Sequence, residues 1–163
     1  MGEFEMDDQL KQDFTRRLSQ CNSGGMIVIM YDILFAYADD AKRAFADHAH
    51  GEMKVAVRMV QRVLDELIGS LDFSYGLSNQ LFALYTFCKR ETARTLYQNS
   101  PEGLLEAEKI LRRLYDSFVQ VAGQDTSGPV MGNAQQVYAG MTYGRGELKE
   151  SCMENDSQRG FLV

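Results

Sequence analysis

Apolar side chains recur at intervals of three and four along most of the chain, the spacing of one face of an α-helix. Residues 6 to 20 place Met6, Leu10, Phe14 and Leu18 four apart, with Asp7, Asp8, Lys11, Arg16 and Arg17 on other faces, which predicts a short amphipathic helix. A break follows at "NSGG", 22 to 25, where Asn22 or Ser23 can cap the next helix and each glycine costs helix about 1 kcal/mol relative to alanine. The next stretch begins "MIVIMYDILFAY", residues 26 to 37, apolar except for Asp32. Met30, Leu34, Tyr37, Ala41 and Phe45 then carry a helical spacing to about Asp47, which favours a helix over a buried strand.

Three more helices follow. Beyond Gly51, the residues Met53, Val57, Val60, Leu64, Leu67 and Leu71 form the stripe of a bundle helix. Leu77, Leu81, Leu84, Cys88 and Leu96 mark the fourth helix. In the fifth, Ser100 caps, Pro101 takes the first helical position, and Leu104, Ala107, Leu111, Leu114, Phe118 and Val121 carry the stripe to a stop at Gly123. The connections near 48 to 51, 72 to 74 and 99 to 100 are short, so successive helices return beside one another. The fold class predicted is all-α: an antiparallel up-and-down bundle of four main helices plus a short N-terminal helix. Seven of the fourteen glycines fall after Ala122. Residues 1–122 therefore read as the bundle domain and 123–163 as an irregular tail.

Composition narrows the function. At 163 residues the chain suits one domain with a real core. A net charge of -6 without a basic patch argues against nucleic acid. The apolar run is shorter than the roughly 20 residues of a membrane span, and "MGEFEMDDQL" is acidic where a signal peptide needs a basic segment, so neither insertion nor secretion is expected. Cys21, Cys88 and Cys152 are odd in number and widely spaced, which suggests no disulfide framework or zinc ribbon and fits a reducing cytoplasm.

Catalytic chemistry is sparse. The two histidines, His48 and His50, could hold a metal loosely with Asp47, but a solvated helix end is the simpler reading. No Glu-x-x-His pair, phosphate loop, dinucleotide fingerprint or nucleophile elbow is present. No enzyme activity, metal or cofactor is expected. Asp32 reads more simply as a wet position, or as the acceptor of a hydrogen bond from a tyrosine, than as a functional carboxylate.

One excess remains. Met26, Met30, Leu34 and Tyr37 suffice for a bundle's core face, yet Ile27, Tyr31, Phe35 and Ala38 form a second apolar face beside it, with Val28 and Ile29 adding more. A monomeric bundle would not leave both in water. The second face must meet the N-terminal helix, the tail, a second subunit or a client.

Met30-Tyr31-Asp32 early in a long helix, Leu71-Asp72 closing the next, and "LFALYTF" at 81 to 87 resemble, in that order, the motifs of the flagellar export chaperone FliS family. The resemblance covers about residues 6 to 122. It departs at "NSGG" in place of Ser-Pro, at a glycine pair reduced to Gly76, and at Phe118 where the family often has Trp. It implies a cytoplasmic, non-enzymatic helical bundle that binds the C-terminal segment of newly made flagellin and prevents premature polymerisation or aggregation before secretion. Contact with the export machinery or another flagellar protein is also compatible with it.

On this reading the client's amphipathic helix enters an apolar groove lined by Ile27, Tyr31 and Phe35, with Leu81, Leu84 and Tyr85 from the neighbouring helix. The alternative is a structural bundle that homodimerises through the same face. In the tail, Val137, Tyr138, Met141 and Tyr143 are more apolar than a linker requires, and they are expected to occupy the groove until the client displaces them.

Overall fold

A computed structural model describes residues 7–130 of the chain. Five helices follow one another: α1 (Asp8–Gln20), α2 (Ser23–Ala46), α3 (His50–Gly69), α4 (Gly76–Gln98) and α5 (Glu102–Ala122). As the spacing predicts, α2 to α5 form an antiparallel bundle. α2 packs between α3 and α5, α4 closes the ring against the same two helices, and α1 lies on α2. The bundle belongs to the first of two units, Met1–Gly132.

The helix ends follow local chemistry. The Asp7 carboxylate accepts the N–H of Gln9 to start α1, and Asn22 accepts that of Gly25 at 2.8 Å to start α2. The glycines at 24 and 25 lie inside the first turn of α2 instead of before it. Gly24 has a specific reason: a Cβ there would stand 3.3 Å from Ala122 Cα, so its absence lets the end of α5 approach. α5 begins at Glu102, one residue later than the Ser-Pro pair suggests. Its orphan Leu104 N–H donates to Thr95 Oγ of α4 at 2.7 Å, a cap borrowed from the preceding helix.

The core is assembled from the predicted stripes. Met53, Val57, Val60, Leu64 and Leu67 of α3 and Leu104, Ala107 and Leu111 of α5 are all buried. Val121 is the exception on α5, with 62% of its surface exposed, because the helix's last turn runs past the stripes that cover its middle. Beyond α5 the chain turns back to the junction of α1 and α2, where Val130 N–H donates to Cys21 O at 3.0 Å and Asn22 Nδ2 donates to Asp125 O at 3.1 Å. The start of the expected tail is thus tied to the bundle. Val137, Tyr138, Met141 and Tyr143 lie outside the described residues.

Candidate functional site

The face expected from Ile27, Tyr31 and Phe35, extended by Leu81, Leu84 and Tyr85, is not an outer surface, and this corrects the sequence reading. Tyr31 and Tyr85 are 0% and 1% exposed, Phe35 and Leu81 are buried, and Ile27 and Leu84 are half-buried. The reason is geometric. α2 has neighbours on two sides, α3 and α5, so its core-facing arc is wide enough to take in both the Leu34 and the Tyr31–Phe35 rows.

These residues form an aromatic centre. Tyr31 rings lie 5.7 to 6.5 Å from those of Phe35, Tyr85, Tyr115 and Phe118. The Tyr31 and Tyr85 hydroxyls meet at 2.9 Å, joining two of the sequence motifs inside the core. Burial, with each other's proximity, raises Tyr31 well above the ordinary tyrosine range, and burial raises Tyr85 as well. Arg112 stacks over Phe35 at 4.3 Å and pairs with the buried Glu108, which Lys42 of α2 also reaches at 3.0 Å. The third motif shapes a turn: the Asp72 carboxylate accepts Ser74 N–H at 2.9 Å, which holds its carboxyl below the usual range, and its carbonyl accepts Ser78 Oγ.

The surplus apolar surface exists, but it sits elsewhere on α2. Ile29, Ile33, Ala36 and Tyr37 face outward, and α1 covers them with Phe14 and Leu18. Its buried members, Phe14 and Ile29, lie apart from the main core, while Tyr37 packs against both. Only Phe14 of α1 is buried, while Leu10 is 37% exposed. Burying one phenylalanine contributes about 2–3 kcal/mol, so α1 is held far more lightly than the bundle is.

A close ion pair accompanies this packing. Arg17 Nη2 of α1 lies 2.5 Å from Asp32 Oδ2 of α2, with the two side chains 38% and 22% exposed. Burial, with the nearby Asp32 carboxylate, raises Tyr115 of α5 above its ordinary value. Asp32 is therefore an ion-pair partner of α1. Beside it a cleft of about 450 Å³ opens where the end of α1, α2 and the last turn of α5 converge, lined in part by Arg17, Val28, Ile29 and Val119.

Sequence reasoning counted Ile29 in the surplus surface but missed Ile33, Ala36 and Arg17. The available signal was the Phe14–Leu18 pair on a short helix adjoining a helix that is apolar almost all round. At the opposite end of the bundle His50 Nδ1 meets Asn99 Nδ2 at 3.0 Å and stacks edge-on with Phe45. Among the described residues no group of three or more His, Cys, Asp or Glu could hold a metal ion, and no helix is long and apolar enough to cross a membrane.

Taken together, the fold and this site define an antiparallel helical bundle whose second helix carries an outer apolar face covered by the chain's own N-terminal helix. Residues 6–125 match the family model of the flagellar protein FliS, and the chain belongs to that family. The family is one of flagellar chaperones acting in flagellum biogenesis. No curated protein matches the chain.

Proposed function

We propose that this protein binds the C-terminal segment of newly made flagellin in the cytoplasm, holds it unpolymerised until export, and does so on the outer face of α2 now covered by α1. The observation that carries the reading is the packing of α1. A short amphipathic helix lies across Ile29, Ile33, Ala36 and Tyr37 through the buried Phe14, the half-buried Leu18 and an ion pair to Asp32. A client helix with a longer apolar stripe would bury more surface there and displace it. Flagellin's terminal helices are meant to bury one another in a filament, so a groove that accepts an amphipathic helix keeps such a segment from its own kind.

The face that the homodimer alternative relied on, Ile27, Tyr31 and Phe35, packs in the main core, which favours the chaperone reading. Titration calorimetry of the full chain with the flagellin C-terminal segment tests the proposal. One-to-one binding with a negative heat-capacity change is expected, since apolar surface leaves water. Absence of heat at several temperatures, with no co-elution, would overturn it.

A further inference from the structure

Asp32 is the one acidic side chain in the apolar run of α2, and it lies at the edge of the face that α1 covers. The group that pairs with it is the Arg17 guanidinium, which belongs to the lightly held helix. If α1 leaves, the cation goes with it. A helix that then covered this face with apolar side chains alone would strip water from a carboxylate and leave its charge unpaired. Such a penalty is larger than the gain from one more apolar contact.

α1 shows the pattern that satisfies the site: apolar residues at Phe14 and Leu18, four apart, with the cation at Arg17, one place before the second. Both elements fall on adjoining parts of one helical surface.

We infer that Asp32 is a specificity-determining residue for the client, taking a lysine or arginine of the bound helix in place of Arg17, next to an apolar pair spaced as Phe14 and Leu18 are. The inference rests on the function proposed above and on the α2 face as its site. It separates helices by charge: an apolar helix without the cation leaves Asp32 unpaired, and one with an acidic residue there is repelled.

A double-mutant cycle tests it. The full chain and its Asp32→Asn variant are each titrated with the flagellin C-terminal segment and with versions in which every lysine and arginine is changed singly to glutamine. One substitution is expected to weaken binding to the wild-type chain roughly tenfold while leaving affinity for Asp32→Asn within about twofold. The cycle cancels any easing of α1 that Asp32→Asn causes by itself.

A second variant, Arg17→Gln, keeps Asp32 intact and removes its internal partner, so the unmodified segment should bind several-fold more tightly. Thermal melts confirm that each variant is folded. If the segment binds but no lysine or arginine substitution depends on residue 32, and Arg17→Gln does not tighten binding, the inference is overturned and the proposed function stands. If the segment fails to bind the wild-type chain at all, both fall.

Discussion

Gly103 is the tightest point in the bundle, and a single methyl group there should separate α5 from α4. A Cβ at this position would stand 2.0 Å from the Glu91 carbonyl oxygen and 2.9 Å from Thr95 Oγ. The first of these is backbone inside a helix, so it cannot swing away as a side chain would. Restoring van der Waals distance moves the start of α5 by about 1 Å or more. That movement stretches the bond from Leu104 N–H to Thr95 Oγ, now 2.7 Å and buried.

Overpacking costs about 1–3 kcal/mol, and a buried N–H left without its acceptor about 1–3 kcal/mol. The better helix propensity of alanine returns at most about 1 kcal/mol. The net loss for Gly103→Ala is then about 2–4 kcal/mol, or roughly 10 °C in Tm for a bundle of this size. Gly51, in the first turn of α3, has nothing within 4 Å of a built Cβ, so Gly51→Ala should be neutral or stabilising by up to about 1 kcal/mol. Urea and thermal unfolding followed by circular dichroism read both. A Gly103→Ala variant as stable as the parent would refute the close contact.

The buried tyrosine pair gives a second outcome: Tyr31→Phe leaves the Tyr85 hydroxyl without its partner and should cost about 1–3 kcal/mol, while the double change to phenylalanine should recover part of that loss. Both tyrosines are held above their ordinary range in the folded chain, so the unfolded chain gives up its protons first. The stability they contribute is complete below about pH 10, the unfolded value, and is lost as pH rises beyond it; an unchanged urea midpoint between pH 9 and pH 11 would contradict this. Burial pushes the Cys88 thiol up to about 12. Maleimide at pH 8 should therefore leave Cys88 unlabelled in the native chain and label it in denaturant, as mapped by mass spectrometry.

The bundle was legible because most of its helices are amphipathic. α3 and α5 each show one apolar stripe with polar residues elsewhere, and a stripe of that kind names its own buried face. α2 was legible as a helix but not in its orientation. With apolar residues at nearly every position from 26 to 37, periodicity cannot say which side meets α3, which meets α5, and which is left for α1. That is why the surplus face was read at Ile27, Tyr31 and Phe35 when it lies at Ile29, Ile33 and Tyr37. The motif tyrosines carried the family but also pulled the site into the core, since Tyr31 and Tyr85 hold the bundle together through their hydroxyls. The Arg17–Asp32 pair joins residues 15 apart in sequence on different helices, and no local pattern reports such a contact.

Hydrogen exchange of the α1 backbone during client binding tests the central claim most directly. If the flagellin segment takes the outer face of α2, α1 must leave it. Amides of residues 11 to 20 should then exchange faster in the complex than in the free chain, while those of Tyr31 to Ala41 in α2 become better protected. Tight binding of the segment with α1 exchange unchanged or slowed would place the client elsewhere and contradict the account.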